Sequence, residues 1–155
     1  MKYFTTTVIA ASILFTMTSC AKGNQQDVII QEYIDDIVVE ADWAAMETIS
    51  LVLNEYTDDI DDLILTKGTP YKLELKNQGT KAHNVASNEF FEAIIPWKIE
   101  TVDGEIKTHV LNNIEIYPGR RLDLFFVPQK IGSYTISYNT LGDDDHDEIG
   151  TITIQ

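Results

Sequence analysis

Along this chain apolar and polar positions alternate in short runs. Ile49, Leu51 and Leu53 are interleaved with positions that include Ser50 and are followed by Asn54. Leu63 and Leu65 lead into Lys67-Gly68-Thr69-Pro70, a turn, and then Tyr71, Leu73 and Leu75 alternate with Lys72, Glu74 and Lys76. A period of two puts one face of each run against a core and the other in water, so these segments are predicted strands. The pattern continues through Val110 to Ile116, the Pro118-Gly119 turn, Leu122 to Val127, a turn near Gly132, Ser133 to Tyr138, and Ile149 to Ile154. Short strands at regular spacing predict an all-β Greek-key β-sandwich. One short helix is expected over Asn88 to Ile95, where Phe90, Phe91, Ile94 and Ile95 recur at helical spacing and Ser87 or Asn88 can cap. Asp27 to Asp42 stays open between helix and strand: its apolar residues recur at three and four, yet many are β-branched.

The amino terminus has a different character. Lys2 is followed by an apolar stretch from Val8 to Met17 and then by Thr18-Ser19-Cys20. This resembles a bacterial lipoprotein signal peptide, with small residues before a cysteine that receives the lipid. The apolar run is about half of the ~20 residues that span a bilayer. The expected organisation is a signal peptide over 1–19, lipidated Cys20 with a tether and an N-terminal segment over 20–42, and a sandwich domain over 43–155. Ala21 after the cysteine, in place of an aspartate, favours the outer over the inner membrane in the lipoproteins this resembles.

Charge narrows the function. The 155 residues include 25 Asp plus Glu against 11 Lys plus Arg, a net charge of −14. So acidic a chain is not expected to bind nucleic acid, which needs a basic surface to release counterions from phosphates. With 44% hydrophobic residues it is too apolar for a disordered acidic tail. Its single cysteine excludes an internal disulfide, and once lipidated leaves the folded part without a thiol.

The residues Gly68-Thr69-Pro70-Tyr71-Lys72-Leu73-Glu74-Leu75, Asn77, His83-Asn84, Phe90-Phe91, Pro118-Gly119, Val127-Pro128, Gly132-Ser133-Tyr134 and Gly150-Thr151-Ile152 together resemble the cupredoxins of the plastocyanin and azurin type, over about Trp43 to Gln155. The resemblance implies an eight-stranded or similar antiparallel sandwich, with copper at one end held by two histidines, a cysteine and a methionine. Carried across, the first histidine falls on His83, the cysteine on Tyr138, the second histidine near Asp143 and the methionine on Glu148. One ligand of four is kept. Without the cysteine there is no short copper–thiolate bond, so blue-copper electron transfer is not expected.

What stands in place of the ligands is Gly142-Asp143-Asp144-Asp145-His146-Asp147-Glu148, five carboxylates around an imidazole. Imidazole and oxygen donors suit Cu(II), Zn(II) or Ni(II), and carboxylates alone suit Ca²⁺. His83, His146, Glu148 and Asp143 are therefore the candidate metal ligands, for copper or another divalent cation, against the plainer reading of a solvated acidic loop. His109 is expected on a strand as a surface or partly satisfied histidine. Phe90, Phe91, Pro96 and Trp97 either form a docking patch near the site end or cap the core, and Asp58 to Asp62 reads as a connecting loop. No G-x-S-x-G or phosphate-binding glycine loop is present, so no enzymatic activity is expected. The partners expected are the membrane, through the lipid, and, in the alternative reading of a metal-free interaction module, another envelope protein. The expected location is the bacterial cell envelope, facing the periplasm.

Overall fold

The computed structural model describes residues 25–55, 62–140 and 147–155, with only the backbone of 25–30 and 147–149; Cys20, Asp143, His146 and most of the Asp58–Asp62 run lie outside the described residues. Helix α1 (Gln25–Glu40) precedes strands β1 (Glu47–Leu53), β2 (Leu63–Leu65), β3 (Tyr71–Asn77) and β4 (His83–Ala86). The short helix α2 (Asn88–Phe91) follows, and then β5 (Ile94–Thr101), β6 (Gly104–Ile106), β7 (Asn113–Ile116), β8 (Arg121–Pro128), β9 (Gly132–Thr140) and β10 (Asp147–Ile154). They form two five-stranded sheets, ordered β1-β3-β8-β5-β6 and β2-β10-β9-β4-β7. The sheets are mixed, not purely antiparallel: β1 runs parallel to β3, and β2 parallel to β10.

The alternation seen in the sequence sets the inner faces. Tyr71, Leu73 and Leu75 of β3 and Leu124 and Phe126 of β8 face Ile136 and Tyr138 of β9 and Ile152 and Ile154 of β10 in one buried cluster. On the outer face of the first sheet the period hides an exception. Glu74 is only 7% exposed and Asp123 only 8%. Both are paired: the Arg121 guanidinium donates to Asp123 at 2.8 and 2.6 Å and reaches Glu74 at 2.5 Å, and the Lys76 ammonium also contacts Glu74. The hydrogen bond from Lys76 is the largest influence holding the Glu74 carboxyl below its ordinary value, with Arg121 adding to it against burial.

Three elements depart from expectation. The helix expected over Asn88 to Ile95 closes at Phe91. Ser87 caps it, accepting from the Phe90 amide at 3.3 Å while donating to the Thr135 carbonyl. Ile94 and Ile95 then pair with Pro128 and Val127 of β8, so ladder bonds replace the next helical turn. Strands β4, β5 and β6 carry no clear alternation and were not expected. In β5 the register shifts between Pro96 and Lys98, where proline has no N–H to give to the ladder, and this sets Trp97 and Lys98 together on the outer face.

The open segment Asp27 to Asp42 falls almost wholly within α1. Ile34, Ile37 and Val38 are half-buried while Tyr33 and Val39 are exposed, a one-sided stripe. Tertiary anchoring outweighs the helix's β-branched content. The Trp43 indole N–H donates to the Val38 carbonyl at 2.8 Å, and its ring lies 4.4 Å from that of Trp97 and 6.4 Å from Phe125. The Lys98 ammonium sits 4.5 Å from the Trp97 ring. No helix among the described residues is long and apolar enough to cross a membrane.

Because Trp43 and Trp97 are the only two tryptophans and their rings lie 4.4 Å apart at a 33° tilt, their coupled circular-dichroism signal reports α1 docking. Trp43→Ala is expected to abolish that signal and speed amide exchange across Gln25–Glu40, at a cost of about 1–3 kcal/mol in aromatic packing. The sandwich amides stay protected; equal loss of protection throughout would show that α1 and the sandwich unfold as one unit.

Candidate metal centre at one end of the sandwich

β3 finishes, β4 begins, and β7 and β9 finish at the same end: His83 stands opposite Ile116 of β7 and Thr140 of β9. The chain leaves β9 at Thr140 and re-enters at Asp147, which pairs with Asn139. The end of β9 and the start of β10 thus both lie at the His83 end.

His83 is 1% exposed, and neither ring nitrogen has a hydrogen-bond partner among the described residues. Buried polar atoms are ordinarily satisfied, because an unmade hydrogen bond forfeits the full desolvation cost of the group. Burial is the main influence pushing the imidazole below its ordinary value, with a weaker opposing pull from the Glu55 carboxylate. The ring is therefore neutral at physiological pH, the form that offers a lone pair to a cation.

Tyr138 of β9 is 2% exposed, with its ring centre 6.2 Å from that of His83. Glu148 occupies the register position across from Tyr138 on β10; its backbone alone is described. Of the four candidate ligands, the structure describes the side chain of His83 only, with the phenol of Tyr138 beside it. Among the described residues no three His, Cys, Asp or Glu side chains gather as a metal site.

Two residues that shape this end were not singled out for it from the sequence. Asn77, 2% exposed, donates through Nδ2 to the Lys81 and Ile116 carbonyls, each at 2.8 Å, and accepts from the Gly79 amide at 2.8 Å. Its side chain fastens the β3–β4 turn to β7 across the two sheets. Glu55, just past β1, accepts at Oε1 from the Thr80 amide at 2.5 Å, the Thr80 hydroxyl at 3.0 Å and the Lys81 amide at 2.8 Å. Hydrogen bonds, first from its own backbone amide and then from Lys81 and Thr80, hold its carboxyl at about 2 in spite of burial. A Cβ at Gly79 would lie 2.6 Å from Glu55 Oε2, so a glycine is what leaves room for this clamp. The only available signal was the Asn-x-Gly-Thr order, which suggests a turn but not its occupant.

The remaining candidates sit elsewhere. His109 is on a bend between β6 and β7 and not on a strand. Its Nδ1–H donates to the Pro96 carbonyl at 2.9 Å, and Nε2 lies 3.9 Å from Asp35 of α1. Phe90 and Phe91 are buried at the opposite end of the sandwich, beneath α2, and Trp97 is covered by Trp43. These aromatics cap the core and support α1, and they form no docking patch beside His83.

No protein-family model and no curated protein sequence matches the chain. Solved structures do. A copper-containing nitrite reductase from Thermus scotoductus is similar with a TM-score of 0.53 at 10% identity, over 70% of this chain and 30% of its own. A multicopper oxidase gives 0.52 at 9% identity, over 74% of this chain and 45% of its own. Fet3p, a multicopper oxidase that functions in iron import, gives 0.50 at 12% identity, over 69% and 27%. The chain spans less than half the length of these proteins. At such identities the likeness establishes the fold, a cupredoxin-like β-sandwich.

The Glu55 clamp has a defined pH signature. Its folded pKa of about 2 lies below the ordinary 4.5, so its stabilisation is complete above about 4.5 and is lost as pH falls through about 2. Glu55→Gln is expected to lower stability at neutral pH, and the gap to the parent chain to close as urea unfolding is repeated toward pH 2. Gly79→Ala, which displaces the carboxylate, gives the same narrowing; a gap that does not change with pH would rule the clamp out.

Proposed function

We propose that this chain is a lipid-anchored protein of the bacterial cell envelope whose cupredoxin-like domain binds a divalent metal ion, copper(II) or another such cation, without a thiolate ligand. The observation that carries this reading is His83: a neutral, fully buried imidazole with neither nitrogen partnered among the described residues, at the end of the sandwich where β9 finishes and β10 begins. A metal ion bonded to the unprotonated nitrogen would satisfy the lone pair of that group. Asp143, His146 and Glu148 are the further donors proposed, all nitrogen and oxygen ligands that suit borderline divalent ions.

The residues present do not fit a blue-copper centre. Cys20 is the sole cysteine and is assigned to the lipid, so no thiolate is available to the site. A metal held by imidazole and carboxylates serves storage, buffering or delivery better than rapid electron exchange. The proposal is therefore a binding protein and not an enzyme, although the similar solved proteins include oxidases and a reductase.

Calorimetric titration of the full chain with Cu(II), Zn(II) and Ca²⁺, with melting temperature in parallel, tests the metal. One ion is expected to bind at micromolar or tighter affinity, stabilising the fold by about 2.7 kcal/mol at a hundredfold excess over Kd. Both His83→Ala and His146→Ala are expected to abolish this. Absence of binding and of any melting shift would overturn the metal reading and leave a metal-free module that holds another envelope protein.

The anchor is tested separately. Cys20→Ala is expected to move the chain from the membrane to the soluble fraction and to end incorporation of labelled palmitate; an unchanged distribution with no label in the parent would refute lipidation.

A further inference from the structure

Charge ties α1 to the sandwich through a group that can lose its charge. His109 stands on the bend between β6 and β7, bracketed by Thr108, whose hydroxyl donates to the Val110 carbonyl at 2.9 Å and accepts from the Val110 amide at 3.2 Å. Its Nδ1 lies 2.9 Å from the Pro96 carbonyl oxygen. A carbonyl can only accept, so Nδ1 carries a hydrogen. In the neutral ring Nε2 then presents its lone pair to the carboxylate of Asp35 on α1, 3.9 Å away. A lone pair facing a carboxylate repels it, whereas an Nε2–H on a charged ring attracts it. With the tautomer fixed from the other side, protonation is what turns this contact attractive.

The charged neighbours leave that role to His109. Helix α1 contains no Lys or Arg. Among the described residues, His109 is the one group able to carry positive charge within 4.0 Å of a carboxylate of α1. The Asp35 oxygen that faces it, Oδ1, also accepts from Gln31 at 2.9 Å. On β5, Lys98 is turned to Glu100 and Glu105, and Lys107, two residues before His109, lies 3.9 Å from Glu105. We propose that His109 is a proton-operated latch between α1 and the sandwich, closing on Asp35 as pH falls through the range, around about 6.5, in which imidazoles ordinarily titrate. The docked helix is the state in which the imidazolium meets the carboxylate, so docking takes up a proton and acid favours docking. The stabilisation is present below that range and is lost as pH rises through it. Opening the latch withdraws the Val38 carbonyl to which Trp43 donates, and loosens Trp43 from the Trp97 ring that it covers.

The test is amide hydrogen exchange of the full chain between about pH 8 and about pH 5.5, a window above the ordinary carboxylate range. Protection is corrected for the intrinsic exchange rate, and the circular dichroism of the tryptophan pair is followed in parallel. The imidazole is 27% and the carboxylate 59% exposed, so protection of α1 is expected to rise about two- to fivefold as pH falls, the range of exposed ion pairs. The gain is expected to shrink in about 1 M salt. His109→Asn can still donate to the Pro96 carbonyl, and Asp35→Asn can still accept from Gln31, but neither carries the charge it replaces. In both, protection of α1 is expected to stay flat with pH while the sandwich amides remain as protected as in the parent chain. If a variant loses that protection, the parent chain decides by its salt dependence: a pH gain that salt does not reduce would overturn the latch. So would a gain in either folded variant as large as in the parent, or no gain in the parent at all.

Discussion

One buried amide holds the end of this sandwich together. Asn77 is placed by the last residue of a central strand, out of water, where each of its donors and acceptors must find a partner or cost the fold about 1–3 kcal/mol. It finds them on the β3–β4 turn and on β7, which belong to different sheets. Its backbone adds to the same tie, with its N–H donating to the Arg120 carbonyl and its carbonyl accepting from Gly119. The apolar layer can press the two sheets together, but it is indifferent to sliding. Directional bonds at Asn77 give the register of the turns that surround His83.

His83 makes the opposite choice a few residues later. Both groups are nearly inaccessible, and both are polar; among the described residues one has its hydrogen-bonding capacity met and the other has none of it met. Glu55 acts on the same end from outside, pinning the β3–β4 turn with its carboxylate.

The two outer faces divide the remaining work. On the outer face of the first sheet, four of the eleven cations of a net −14 chain lie against acidic and aromatic side chains. Lys72, Lys76 and Arg121 neutralise Glu74 and Asp123, and Lys98 lies over Trp97 and Phe125. That neutralisation lets carboxylates sit at low exposure among half-buried aromatics. It also provides the platform on which Trp43 stacks and from which α1 is held. α1 is an acidic helix with no basic residue in its last turn to complement its dipole, so its order depends on this docking.

Much of the sandwich was legible in the sequence because burial on one face imposes a period of two, which β1, β3 and β9 follow, while β8 shows as a continuous apolar run from Leu124 to Val127, buried on both faces. β4, β5 and β6 were not legible. β4 is four residues long, β6 is exposed throughout, and the proline and bulge in β5 break its alternation. The expected helix over Asn88 to Ile95 failed because Phe-Phe and Ile-Ile pairs satisfy a helical period and a strand pair equally well. Partners on β8 decided between them. In the site, His83 and Tyr138 could be named through a resemblance to known sequences, while Asn77 and Glu55 could not be given roles. Their importance lies in hydrogen bonds to backbone groups distant in sequence.

The sequence by itself determined the class of the fold and the chemistry available to it: alternating runs that must bury one face, an excess of acidic residues, and no cysteine after position 20. The tertiary structure alone decided which polar groups are shut away from water and which of them meet. Periodicity reports the face a residue occupies, whereas hydrogen-bond satisfaction depends on where other strands bring their carbonyls and amides. That is why a histidine can be read as a candidate from the chain, and only the folded sandwich shows that its two nitrogens find no partner among the described residues.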